Sequence, residues 1–261
     1  MAIRPWRPAG SRVEFPAMPR TAADKRAPSR LPAVRAELRR LADPRQAKNL
    51  QWFFKTGPGE YGEGDVFLGL RVPDLRRMSR EHRDLSLAAV RSLLGSRFHE
   101  ERMLALFILV LRYGRGDEAE RQAVFRLYLA SLRRVNNWDL VDCSAPHIVG
   151  QHLLGRDRRL LYRLARSRSL WERRVAVLAT FWFVREGQFT DSLRIAGLLL
   201  ADGEDLIHKA TGWMLREVGK RDESALEDFL GRHCRAMPRT MLRYAIERFP
   251  EKKRRAYMAR G

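Results

Sequence analysis

From about residue 31 onward, apolar side chains recur three and four positions apart, and two-residue alternation is almost absent. The segment LPAVRAELRRLADP places Leu31, Val34, Leu38 and Leu41 on one stripe that stops at Pro44. HEERMLALFILVLRYGRGD, over 99–117, predicts a longer helix closed by Gly114 and Gly116. DEAERQAVFRLYLASLRRV, SLWERRVAVLATFWFVREG and EDLIHKATGWMLREVGKRD repeat the pattern, with short breaks that hold Gly, Pro, Asp or Asn. The chain therefore reads as all-α. Many antiparallel helix pairs of this length suggest an α-solenoid, in which each pair buries a face on the next. The segments show no strong self-similarity, so an irregular helical bundle stays open as the competing fold. GEGDVFLGL at 62–70 is glycine-bearing, but no helix is expected directly after it to receive a phosphate.

Charge changes the picture from any helical protein to one with a polyanionic partner. The chain holds 51 Lys plus Arg against 31 Asp plus Glu, a formal charge of +20 carried almost entirely by arginine. That excess predicts nucleic acid gripped through its phosphates, and a curved solenoid with a basic concave face would cradle a duplex. The basic, Pro-rich residues 1–30 read as a disordered tail, with Pro5, Pro8, Pro16 and Pro19 opposing a helix there; 31–261 read as one helical domain. The opening residues carry no apolar signal-peptide core, and the longest apolar runs are too short to span a membrane. Cys143 and Cys234 form neither a metal spacing nor a disulfide framework. A cytoplasmic protein, without metal or organic cofactor, is the expectation.

Three segments carry candidate chemistry. In VNNWDLVDCSAP, over 135–146, Asn136 or Asn137 can cap a helix with Asp139 in its first turn, and Pro146 limits or kinks it. Trp138 and Asp142 stand four apart and share a face. An aromatic plate beside a carboxylate would receive a developing cation; the plainer alternative is a buried Trp whose neighbouring Asp pairs with an Arg. In SLWERRVAVLATFWF, Trp171, Arg174, Val175, Leu178 and Trp182 share a face, so Arg174 needs an anionic partner. That partner is either a phosphate or, across helices, Asp139 or Asp142, whereas Arg173 faces the opposite, solvated side. In DLIHKATGWMLREVGK, Gly212 within a helix predicts a close approach, and Trp213 beside it is either core or a second aromatic wall. His208 reads as a phosphate or water contact rather than a base.

Together these segments resemble the AlkD-like DNA alkylation-repair family. The resemblance runs from YGEGDVFLGLRVPDLRR at 61–77 through NNWDLVDCSAPHIVG, WERRVAVLATFW and HKATGWMLREVGKRD to MPRTMLRYAIERFP at 237–250. It implies a right-handed stack of HEAT-like helical pairs with a basic concave face. It also implies a glycosylase that hydrolyses the bond between deoxyribose and a cationic N3- or N7-alkylpurine in double-stranded DNA, without obligatory base flipping and without strand cleavage. The resemblance makes Asp142 the catalytic carboxylate and Trp138 and Trp213 the sugar-contacting rings. Arg174 becomes the DNA-binding arginine, with Arg173, Lys209, Arg216 and Arg239 as further DNA contacts. Asn137 stands where relatives often carry a second Trp, which bears on substrate range. No protein partner is implied, and the chain is expected to act as a monomer. One rival reading is a non-catalytic binder of branched or damaged DNA, but such relatives lack the Trp and Asp kept here. The other is a HEAT-type protein scaffold, against which the charge weighs.

Overall fold

Prolines and short polar side chains set where the helices begin. A computed structural model of the chain describes residues 30–260, so the tail expected over 1–30 lies, Arg30 apart, outside the described residues. Helix α1 (Leu31–Arg40) buries Val34 and Leu38, as its stripe predicts. Pro44 does more than stop it: with Asp43 as cap, accepting the amides of Arg45 and Gln46, Pro44 opens α2 (Pro44–Phe53). After a loop come α3 (Val72–Glu81), α4 (Leu87–Leu94), α5 (His99–Arg115) and α6 (Glu118–Ala130). The short α7 (Trp138–Asp142) follows, then a π-turn over Pro146–Gly150 that leads into α8 (Gln151–Leu153). Next are α9 (Arg159–Ala165), α10 (Leu170–Arg185), capped by Ser169, α11 (Thr190–Leu198) and α12 (Asp205–Gly219). The chain closes with α13 (Glu223–His233), α14 (Arg239–Ala245) and α15 (Glu251–Met258).

No strand occurs among the described residues; a single isolated bridge joins Val66 to Phe98. Packing largely follows chain order: α5 is flanked by α3, α4 and α6, α10 by α9 and α11, and α12 by α13 and α14. One continuous apolar cluster reaches from Val34 to Met214, and a second, from Ala196 to Phe249, closes the C-terminal end. Gly212 is where the predicted close approach happens. A Cβ there would stand 2.5 Å from the Met241 carbonyl and 2.6 Å from Tyr244 Cβ, so its absence lets α14 lie against α12.

The glycine-bearing loop at 62–70 departs from expectation. A helix, α3, does follow it at Val72. Its amides are nevertheless taken: Leu68, Gly69 and Leu70 all donate to the buried carboxylate of Glu100, at 2.8, 2.7 and 3.3 Å. The chain's own side chain occupies the place a phosphate would need.

Candidate functional site

The short helix α7 is held at its start by charge. Asn137 is its cap and wholly buried; its Oδ1 accepts the Trp138 amide at 2.8 Å. Asp139, in the first turn, accepts His99 Nε2 at 2.8 Å, and His99 Nδ1 donates to Asp65 Oδ2 at 2.8 Å. Both ring nitrogens face carboxylates, so the imidazole is the doubly protonated cation. Burial alone would lower its pKa, but Asp139 and Asp65 outweigh it and push it up to about 9. Arg102 completes the cluster by pairing with Asp65. Burial would raise the Asp65 carboxyl; His99 and Arg102 together hold it below the usual range. Rings cover this cluster in a ladder: His99 on Phe67 (4.5 Å), Phe67 on Phe54 (5.1 Å), and Phe54 on Trp138 (5.2 Å), each pair near parallel. One face of the Trp138 indole is thereby fixed from behind.

Beside Trp138 opens a groove of about 440 Å³ lined by Phe53, Tyr61, Trp138, Arg174, Leu206, Lys209, Trp213, Arg216 and Tyr244. Its lining holds three cationic side chains and no acid. Phe53 meets Trp138 edge-on at 6.1 Å. Tyr61 is hydrogen-bonded to the Trp138 side chain, which as an indole can only donate, and burial raises the Tyr61 pKa. Across the groove, Trp213 donates through Nε1 to Glu217 at 3.3 Å. Glu217 is itself buried and is held by Lys220 at 2.6 Å. Both tryptophans are half-buried: each packs on protein with one part and leaves another part open.

Asp142, one turn beyond Trp138, is gripped by Arg174 in a two-pronged pair, Nε to Oδ1 and Nη2 to Oδ2, both 2.8 Å. The third arm of Arg174 donates to the Leu206 carbonyl at 2.5 Å. Arg174 is 5 % exposed, whereas the Asp142 side chain keeps 19 % of its surface. Burial raises the Asp142 pKa; Arg174 opposes this and Asp139 adds to it. Of the two partners open to Arg174 in the sequence, the fold supplies the carboxylate. Its Nε, Nη1 and Nη2 each make a bond inside the protein, and Arg174 also lines the groove.

Five of the sequence candidates meet in this groove: Trp138, Trp213, Arg174, Lys209 and Arg216. Lys209 pairs with Asp205 at 2.8 Å yet stays 42 % exposed. Arg216 pairs with Glu247. Asp142, Arg173 and Arg239 lie outside the lining; Asp142 is tied to it through its pair with Arg174. The expectation of a solvated Arg173 is corrected: it is clamped to Asp202 at 2.6 Å and to the carbonyls of Ser167 and Arg168. Arg239 is exposed at the start of α14 and donates to the Met258 carbonyl. His208 Nε2 meets the Asp202 carbonyl at 2.5 Å. The sequence reading missed Phe53, Tyr61 and Tyr244 and the whole His99 cluster. The signal for the cluster was present as HEER, four ionisable residues opening an otherwise apolar helix. All four are buried.

The family profile described as DNA alkylation repair enzyme matches residues 34–249. Among solved structures, the chain is similar to a predicted DNA alkylation repair enzyme from Enterococcus faecalis. The TM-score is 0.62 at 17 % identity, and the likeness covers 80 % of this chain and 97 % of that one. At that identity the likeness speaks for the fold. No curated protein matches the chain.

Proposed function

The chain belongs to the DNA alkylation repair enzyme family, and from that premise we propose that it is a monofunctional glycosylase that removes cationic N3- or N7-alkylpurines from double-stranded DNA. The observation that carries this reading is the groove itself. Two half-open indoles, Trp138 and Trp213, line one depression together with Arg174, and Arg174 holds Asp142 in a two-pronged pair. An alkylated purine is already positively charged, so it leaves with the electrons of its bond to C1′ and needs no proton from the enzyme. The positive charge passes to the sugar, where a carboxylate and aromatic faces stabilise it. Water adds to C1′ from the side of Asp142, whose raised pKa suits it to take up the proton released. Trp138 and Trp213 hold the deoxyribose. Arg174 acts on Asp142 rather than on DNA. Lys209 and Arg216 supply cations to the backbone of the strand.

We read the succession of helices as a right-handed stack of HEAT-like pairs with this groove on its basic concave face. Chain-order packing and the net charge of +20 support that reading. The wall of the groove is open rather than enclosing, which favours action on a lesion still stacked in the duplex over capture of a flipped base. Among the described residues no helix is long and apolar enough to cross a membrane, and the proposed site of action is the bacterial cytosol, as a monomer.

Single-turnover release of 7-methylguanine from methylated duplex tests the proposal. The wild-type chain is expected to release the base and leave the strand intact. Asp142→Asn should be slower by about 10²–10³, the usual cost of one such electrostatic group, and should bind the damaged duplex as well or slightly better. Equal rates for the two proteins would remove Asp142 from the chemistry, and no release by either would remove the glycosylase reading.

A further inference from the structure

Helix α2 buries none of its own residues, and its C-terminal end carries the two most exposed large aromatics among the described residues, Trp52 at 84 % and Phe53 at 55 %. An isolated exposed apolar residue is ordinary; two adjacent aromatic rings at such exposure are not. Arg45, Lys48 and Trp52 are spaced i, i+3 and i+7, so they form one stripe along the helix. Lys55 lies just past the helix end, in the left-handed region at φ 52°, where glycine is the less strained choice. Arg45, Lys48 and Lys55 are all exposed, and no acidic side chain pairs with any of them among the described residues. Trp52, Phe53 and Lys55 line an open depression with Thr56, Gly57 and Glu60. Phe53 belongs to this depression and to the groove of Trp138 alike, so the two surfaces are continuous.

We infer that the α2 stripe is a second nucleic-acid contact, at which the Trp52 ring stacks on the base of an unpaired nucleotide while Lys48 and Lys55 meet its flanking phosphates. An aromatic face set among free cations is the arrangement that single-stranded nucleic acid recognises: every base has a π-face, and every nucleotide brings an anion. A protein partner would more often find an apolar core with few lysines. The inference rests on the reading of the neighbouring groove as a DNA surface. It adds that the protein favours duplex with a displaced nucleotide beside the site, and that the preference comes from α2.

The test uses the full chain and two duplexes of one sequence, one intact and one with a single extra 2-aminopurine bulged from a strand. Wild type should bind the bulged duplex about tenfold or more tightly than the intact one, the scale of one base–aromatic stack, and should quench 2-aminopurine emission. Trp52→Ala removes an exposed ring and leaves no core cavity. It should bind intact duplex like wild type and lose both the preference and the quenching, and Trp52→Phe should restore most of both. Retained preference and quenching in Trp52→Ala would overturn the inference, as would wild-type binding to intact duplex with no preference for the bulge. A concentration-dependent dimer that Trp52→Ala dissolves would assign the face to a second copy of the chain and also overturn it. Failure of wild type to bind either duplex would sink the reading of the groove as well.

Discussion

Asp65 and Asp142 are both carboxylates drawn into the protein beside an arginine, yet their affinities for a proton move in opposite directions. Asp65 sits with two cations, His99 and Arg102, and their attraction outweighs the cost of burial. Asp142 has one, Arg174, and burial wins. The two sites are linked through a single short helix. Asp139 of α7 belongs to the first cluster, and Asp142, three residues on, pairs with Arg174 of the groove lining. The first arrangement is a closed charge balance, two carboxylates against two cations, that pins the start of α7. The second sets one carboxylate against one guanidinium, and burial still raises the carboxylate's affinity for a proton. The cation of the second pair lines the groove, and the Asp142 side chain keeps 19 % of its surface exposed against 2 % for Asp65.

Stability measurements sharpen the contrast most. Asp65→Ala leaves His99 and Arg102 buried with one acid between them, and breaking such a pair costs about 3–5 kcal/mol. Asp142→Asn keeps an acceptor oxygen for Arg174, which also retains the Leu206 carbonyl, so chemical denaturation should show a smaller loss. Equal losses would erase the distinction between anchor and site.

The tryptophans should fall between those limits. A Trp→Ala change in a packed core costs about 3–5 kcal/mol. Trp138 and Trp213 each leave part of the ring in the groove, so Trp138→Ala and Trp213→Ala should cost less than that while lowering 7-methylguanine release per folded molecule. A full core-sized loss with a normal rate would return both rings to a purely structural role.

The same contrast extends to pH. His99 has its pKa raised from 6.5 to about 9 in the folded protein. The stability it contributes is fully present below its unfolded value, about 6.5, and is lost as pH rises through about 9. The denaturation midpoint should therefore slide downward between roughly pH 7 and 9.5, and His99→Gln should flatten that slope. A wild-type profile level across this range would mean that His99 is not held as a cation.

What the sequence alone determined was what local rules govern. The helical periods, a cap at Asn136 or Asn137, Pro44 and Gly116 as boundaries, and Trp138 with Asp142 on one face all follow from interactions within about four residues along the chain. The family motifs are runs of such local positions, so the groove's two indoles and three of its cations were legible. Tertiary structure alone decided which charge meets which. Arg174 takes Asp142 across 32 positions, Arg173 takes Asp202 across 29, His99 joins Asp65 across 34 to Asp139 across 40, and Glu100 fills the amide cradle 30 to 32 residues before it. An ionisable side chain bears the same charge wherever it lies in the sequence. The energy of that charge depends on burial and on the nearest opposite charge, and both exist only once the helices have packed.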